Sequence, residues 1–166
     1  FAVWCLVCVI GVDSGLLGNV YLKGYATTGL DGTKAGGYDL FVVKYSDNGT
    51  KDWTKQLGTS SSDVANGVAT DSSGNVYVTG YTEGGLDGNT SAGNADLFVV
   101  KYNSSGTKQW TKQMGSSSRD YDYGVATDSS RNVYVSGDTY GGLDNNTNAG
   151  YNDLFVVKYN SSGTKQ

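Results

Sequence analysis

Oxygen-bearing side chains recur at a fixed spacing in two loop segments of this sequence. The first set is Asp87, Asn89, Ser91 and Asp96, and the second is Asp144, Asn146, Asn148 and Asp153. Calcium takes about six to eight oxygen ligands from carboxylates, amides and backbone carbonyls. The spacing therefore predicts a calcium (Ca2+) site in each loop. The same residue types also cap turns through their own backbone, and the recurring Asp can hold the start of a strand. Both interpretations stay open.

The residue types give little basis for catalysis. The chain has no His, and Glu83 is its only Glu. Most carboxylates recur along the chain, as structural residues do. The residues predicted to depart from this recurrence are Glu83, Arg119, Asp120, Asp122, Arg131 and Asp138. A glycosidase needs two carboxylates roughly 5–10 Å apart, and no such pair is defined here. We expect no catalytic residues and no enzyme.

Some of the 13 tyrosines stand outside the regular positions of the sequence and predict an exposed aromatic surface. They are Tyr121, Tyr123, Tyr140 and Tyr151. Aromatic faces beside Asn and Asp side chains are suited to stacking on sugars and to hydrogen bonding with hydroxyl groups. Tyrosines and tryptophans that recur at a constant interval are predicted to pack in the core instead; these are Tyr45, Tyr102, Tyr159, Trp53 and Trp110.

These residues belong to a sequence that repeats with a period of 57 residues. The string DLFVVKY begins without change at Asp39, Asp96 and Asp153. Related strings beginning NVY start at Asn19, Asn75 and Asn132. Such self-similarity is the signature of solenoids, propellers and repeat arrays. The 166 residues hold about three copies of the unit.

Each unit is predicted to contain four short strands. In the middle copy these are residues 67–71, 76–82, 96–102 and 107–113. Gly, Asn and Ser separate them and favour turns, while the same residues are poor helix formers. The near-continuous apolar run DLFVVKY indicates an inner strand that is covered on both faces. We predict an all-β protein of four-stranded antiparallel propeller blades, about three in this chain.

The repeat resembles a known family. GNVYVTGYT, then DLFVVKY, NSSG and a Trp four residues further on are similar to the SBBP-type β-propeller repeat, over Gly11 to Gln166. That resemblance implies a secreted or surface protein of bacteria. Three blades do not close a ring, which takes about four to eight. We therefore expect self-association into an oligomer or filament, or packing against further blades of a longer chain.

The first ten residues do not match the repeat and are treated as a separate apolar segment, 1–10, ahead of the repeats at 11–166. Three interpretations remain open: a secretory signal remnant, a divergent strand that packs against a neighbour, or the start of a fragment cut from a longer chain. Cys5 and Cys8 lie near this segment's centre and end, and we interpret them as apolar fillers, because the chain offers no further Cys or His for a zinc site.

Net charge and hydropathy reduce the number of candidate binding partners. A formal net charge of −4 and a pI near 4.6 do not provide the basic footprint of a nucleic-acid-binding protein. No run of 18 apolar residues exists that would span a membrane as a helix. We expect a non-enzymatic structural or adhesive module at the cell surface or outside the cell. A carbohydrate-binding propeller is the alternative, and a glycoside hydrolase fragment is the third.

Overall fold

A computed structural model of the protein describes residues 7–15, 18–31 and 34–166. This part of the chain is built of β-strands, as predicted. The strands are β1 (Val7–Ser14), β2 (Val20–Ala26), β3 (Asp39–Tyr45), β4 (Lys51–Leu57), β5 (Asp63–Thr70), β6 (Val76–Thr82), β7 (Asp96–Tyr102), β8 (Lys108–Met114), β9 (Asp120–Thr127), β10 (Val133–Thr139) and β11 (Asp153–Tyr159). A single turn of 3-10 helix, Leu86–Gly88, lies in the loop before β7.

The strands form three antiparallel sheets in chain order, which we call blades 1, 2 and 3. Blade 1 has the order β1-β2-β3-β4, blade 2 the order β5-β6-β7-β8, and blade 3 the order β9-β10-β11. The first strands of neighbouring blades contact each other, β1 with β5 and β5 with β9. Contact between first strands is the arrangement of propeller blades around a common axis. Four strands per unit are confirmed in blades 1 and 2.

The strand DLFVVKY of blade 2 is internal to its sheet and buried on both faces, as its sequence predicts. Leu97 and Val99 pack towards blade 3, while Phe98 and Val100 pack towards blade 1. The bounds predicted for the first strand of blade 2, 67–71, are wrong at both ends, because β5 runs from Asp63 to Thr70. Pairing with β6 continues upstream of Gly67 past a bulge at Asn66.

The bulge explains an invariant glycine in the second strand of each blade. Opposite each bulge, a Cβ on the glycine would lie 1.8 Å from the carbonyl oxygen of Val64 at Gly80, and 1.9 Å from that of Tyr121 at Gly137. Gly24 meets the same obstacle at the carbonyl oxygen of Cys8, also at 1.9 Å. Only a residue without a side chain permits this approach of the two backbones.

Tryptophans join the blades pairwise, which confirms their predicted packing role. The Trp53 ring lies 6.2 Å from that of Tyr102 in blade 2, and its Nε1 donates to the carbonyl oxygen of Ser104 at 3.2 Å. Trp110 repeats both contacts one blade further on, with Tyr159 at 6.5 Å and the Ser161 carbonyl at 3.3 Å. Each tryptophan therefore closes the outer edge of an apolar layer between two blades.

The described part of the apolar N-terminal segment belongs to a blade. Strand β1 begins at Val7 and pairs with β2, so it crosses the boundary drawn between residues 10 and 11. Cys8 is disulfide-bonded, and the apolar-filler interpretation is wrong for it. Cys5 and the other residues of 1–6 lie outside the described residues, as do the alternatives that concern them.

Candidate interaction surfaces

The first carboxylate of each predicted calcium loop is paired with a lysine. Asp87 accepts hydrogen bonds from the ammonium group of Lys108 and, at 2.7 Å, from the hydroxyl of Thr111. Burial raises the pKa of Asp87, but these hydrogen bonds outweigh it, so its pKa is lowered. Asp144 forms the corresponding ion pair with Lys165. In both loops a lysine supplies the positive charge next to this carboxylate.

The other predicted ligands hold the backbone of their own loops. Asn89 donates to the carbonyl oxygen of Leu86 at 2.8 Å, and Asn146 donates to that of Leu143 at 3.1 Å. Ser91 donates to the Gly93 carbonyl, and Asn148 both donates to the Thr139 carbonyl and accepts from the amide of Gly150. In the described ranges no three Asp, Glu, Cys or His side chains converge as a metal-binding group. Calcium binding stays a prediction.

The aspartates that open DLFVVKY hold the loop that precedes them, which is the structural alternative named above. Oδ2 of Asp39, Asp96 and Asp153 accepts from the backbone amide four residues earlier in each blade, at 2.8, 2.7 and 2.6 Å. Asp63 and Asp120 do the same in the turn between blades. The prediction that Asp120 departs from the repeat is wrong, because Asp63 occupies the same position one period earlier.

A buried polar cluster lies between the first strands of blades 2 and 3. The carboxylate of Asp122 accepts from Nδ2 of Asn66 at 3.0 Å and from the hydroxyl of Thr79 at 2.6 Å. Burial raises the pKa of Asp122, and its hydrogen bonds and the charge of Lys23 oppose that rise only in part. Lys23 is itself buried and pairs with Asp13.

Three of the four tyrosines predicted as an aromatic surface are exposed. The exposed fractions are 69% for Tyr123, 47% for Tyr140 and 93% for Tyr151. Tyr123 lies beside Asp138, and the neighbouring carboxylate raises the pKa of its hydroxyl. Tyr121 is half-buried, because its ring packs edge-on against Tyr81 with centroids 4.9 Å apart. Tyr121, Tyr123 and Tyr140 share one end of blade 3, whereas Tyr151 lies in the loop before β11.

Blade 3 has an uncovered apolar face, which sequence reasoning did not locate. We call this surface, formed by Tyr134, Leu154, Val156 and Lys158, the open face. Leu154 is 85% exposed and Val156 is 66% exposed. Their equivalents in the identical strands of blades 1 and 2 are fully buried under the next blade. One signal was available: the three DLFVVKY strands are identical, so each presents the same apolar face for another blade to cover, and the described blades cover two of these faces.

Comparison with known proteins agrees with this geometry. Three antiparallel sheets whose first strands contact one another define a β-propeller architecture. The sequence profile of the SBBP β-propeller repeat matches residues 52–87 and 109–144. The two matches are one period apart, and each runs from the fourth strand of one blade through the second strand of the next and into the loop that follows it. Two segments of the chain are therefore similar to the SBBP β-propeller repeat.

The chain is also similar to a WD repeat-containing protein. The chain is 28% identical, over an alignment of 113 residues, to the "Uncharacterized WD repeat-containing protein L264" of Acanthamoeba polyphaga mimivirus. The alignment covers 61% of this chain and 8% of that protein. The chain therefore spans less than a tenth of the length of this relative. In the described residues no helix has the length and apolar character needed to cross a membrane.

Proposed function

We propose that this chain is a non-enzymatic structural repeat module that acts by assembly, with the open face of blade 3 as its contact surface. The observation that carries the proposal is the exposure of Leu154 and Val156 in a strand whose two identical copies are buried. Contiguous apolar surface of this kind marks an interaction site on a soluble protein. The partner we propose is another blade of the same type, from a second copy or from further blades of a longer chain.

The interfaces between neighbouring blades of this chain indicate which residues of the open face such a partner would contact. Lys44 donates to the Ser104 carbonyl of the next blade at 3.4 Å, and Lys101 donates to the Ser161 carbonyl at 2.8 Å. Lys158 occupies the equivalent position on the open face. Its ammonium group lies over the ring of Tyr134 at 5.5 Å, as that of Lys101 lies over Tyr77 at 5.3 Å. Lys158 is therefore oriented like the lysine that bridges blades 2 and 3.

A secreted or cell-surface location belongs to the same proposal. Two features support it. The first is the disulfide bond of Cys8, since disulfides persist in oxidising compartments. The second is the match of two segments to the SBBP repeat, which resembles repeats of bacterial secreted and surface proteins. The adhesive role is inferred from the same features. The non-enzymatic assignment rests on the use of the described carboxylates, most of which hold turns, loops or ion pairs.

The native mass in solution tests the proposal. We expect light scattering to give a discrete multiple of 17.5 kDa, and Leu154→Lys to reduce the mass to that of the monomer while the far-UV circular dichroism stays that of the wild type. Thr50→Lys is the matched control, because it adds the same charge at an exposed turn between β3 and β4 of blade 1. A monomeric wild-type chain, or a Leu154→Lys variant that assembles as the wild type does, would contradict assembly through this face.

Carbohydrate contact is a second candidate, favoured by the exposure of Tyr123, Tyr140 and Tyr151. Exposed tyrosine faces next to Asp138 and Asn152 offer stacking and hydrogen-bonding partners for a sugar. Pull-down on a panel of insoluble polysaccharides tests this candidate. Binding that is lost in Tyr123→Ala and retained in Tyr45→Phe would support it, and absence of binding to every polysaccharide would exclude it for that panel.

A further inference from the structure

Four tyrosine side chains lie at the end of the blades where the second strands finish and the third strands begin. In blade 1, Tyr25 near the end of β2 packs against Tyr38 just before β3, with ring centroids 4.6 Å apart. In blade 2, Tyr81 near the end of β6 packs edge-on against Tyr121 of blade 3, with centroids 4.9 Å apart. All four residues are half-buried, so part of each stays accessible to solvent. We call them the tyrosine cluster.

Backbone contacts hold the two tyrosine pairs next to each other. The amide of Asp63, at the start of β5, donates to the carbonyl oxygen of Tyr38 at 2.7 Å. The next residue, Val64, is the strand partner of Tyr81. Tyr38 of blade 1 is therefore bonded next to the residue that lies opposite Tyr81 in blade 2. The tyrosine cluster thus crosses the two interfaces between the three blades.

Glu83 adds a negative charge beside this cluster. It lies two residues after Tyr81, it is exposed, and its amide donates to the carbonyl oxygen of Ser62 at 2.9 Å. Among the described residues no ion pair involves the carboxylate of Glu83. The pKa of the Tyr81 hydroxyl is raised mainly by burial and further by four ionisable groups nearby, which are Tyr121, Glu83, Tyr25 and Tyr38. The cluster and Glu83 therefore form one site around Tyr81.

Three of these five residues interrupt the repeat. The position of Tyr38 is taken by Ala95 one period later, and that of Tyr121 by Val64 one period earlier. Ala95 and Val64 are buried, so a blade packs well without a tyrosine at either position. Glu83 is the only Glu of the chain. Side chains that the fold does not require, and that meet once, are typical of a site built on a repeat scaffold.

Aromatic rings beside an unpaired carboxylate are suited to a cation. The face of each ring is negative and attracts a cation within about 6 Å of its centroid, and the carboxylate adds a Coulomb attraction. A primary ammonium is strongly hydrated and loses more on leaving water than a methylated one does. We propose that the tyrosine cluster and Glu83 bind an organic cation that carries a quaternary ammonium group.

This inference goes beyond the proposed function and does not rest on it. No residue of the tyrosine cluster belongs to the open face, so binding requires no assembly. It also differs from the carbohydrate candidate, because a neutral sugar gains nothing from the charge of Glu83. The charge of the ligand is therefore the property that an experiment must vary.

A ligand-observed NMR titration of the intact chain with choline tests the inference. The matched neutral probe is 3,3-dimethylbutan-1-ol, which has the shape of choline without its charge. We expect saturable binding of choline and binding of the neutral alcohol that is at least about tenfold weaker. N-acetyl-trimethyllysine methylamide is titrated in parallel. The tighter of the two cations shows whether a small solute or a protein side chain is the better carrier of the group.

Variants assign the binding to these residues. Glu83→Gln removes the charge with little change of shape and should weaken choline binding about threefold. Tyr81→Leu removes a ring and should weaken it at least about fivefold, whereas Tyr81→Phe keeps the ring and should bind within about twofold. Asp47→Asn is the matched control for Glu83→Gln, because Asp47 is an exposed carboxylate in the turn between β3 and β4. Far-UV circular dichroism checks the fold of each variant.

Three results would overturn the inference: no choline binding at tens of millimolar, equal binding of choline and the neutral alcohol, or wild-type affinity in both Glu83→Gln and Tyr81→Leu. A monomeric wild-type chain that binds choline would contradict the proposed assembly but keep the cation site. An assembled chain that binds no choline would do the reverse.

Discussion

At the scale of single residues, most described carboxylates stabilise backbone conformation. Asp71 accepts bonds from the amides of Ser73 and Asn75 and from the Tyr77 hydroxyl. Burial raises the pKa of Asp71, but these bonds outweigh it and lower the pKa. Asp, Asn and Ser in a loop sequence therefore predict capping of the backbone as readily as metal binding, because the same side-chain oxygens can accept backbone hydrogen bonds or coordinate a cation.

The glycine opposite the bulge gives a prediction at this scale. We expect Gly80→Ala to lower the free energy of unfolding by about 3 kcal/mol, because its Cβ would overlap the Val64 carbonyl and the backbones must separate. Gly150→Ala is the control, since a Cβ there meets no atom within 4 Å. Urea unfolding measures both. Similar midpoints for the two variants would show that the bulge does not require glycine.

Asp122 gives a prediction about pH. Its pKa in the folded state is raised by burial, so the folded state binds the proton more tightly than the unfolded state does. The stability that Asp122 contributes is therefore fully present below the pKa of the unfolded carboxyl, near 3.9, and is lost as the pH rises through the folded-state pKa.

We accordingly expect Asp122→Asn to raise the free energy of unfolding at pH 7 by roughly 1 kcal/mol, because a buried charge is removed while the amide keeps partners in Asn66 and Thr79. The gain should shrink as the pH falls towards 4. Urea midpoints between pH 4 and 7 measure it, with the exposed Asp47→Asn as control. A gain of equal size at every pH would refute the role of the charge.

At the scale of elements, the fourth strand of blade 2 and the loop before its third strand stabilise each other through Gln113. Its side chain accepts from the Leu86 amide at 2.9 Å and donates to the Asp96 carboxylate at 2.7 Å. We expect Gln113→Ala to cost about 1–2 kcal/mol, since the Leu86 amide and the Asp96 carboxylate lose their partner. Gln109→Ala, on the exposed part of the same strand, should cost less than about 0.5 kcal/mol. Thermal or urea unfolding compares them, and equal effects would mean that the contact adds nothing.

At the scale of the whole molecule, the proposed assembly brings together copies that each carry a net charge of −4. Salt screens this repulsion, whereas contact through Leu154 and Val156 is apolar and is not weakened by screening. We therefore expect the weight-average mass from sedimentation to rise between about 0.05 and 0.5 M NaCl, with Leu154→Lys monomeric throughout. A mass that falls with salt would indicate that ion pairs, rather than the open face, hold the copies together.

The sequence by itself determined the period, the all-β class, the bounds of strands such as β6 and β7, and the packing role of Trp53 and Trp110. These follow from local patterns, because apolar alternation and turn residues act over a few neighbours and then recur. Only the tertiary structure shows that Lys108 forms an ion pair with Asp87, and that Gln113 bonds to the loop before β7. It also shows that Leu154 is exposed while Leu97 is buried. Each of these contacts depends on which distant segment packs against the side chain. Strands of identical sequence therefore differ in burial only because their spatial neighbours differ.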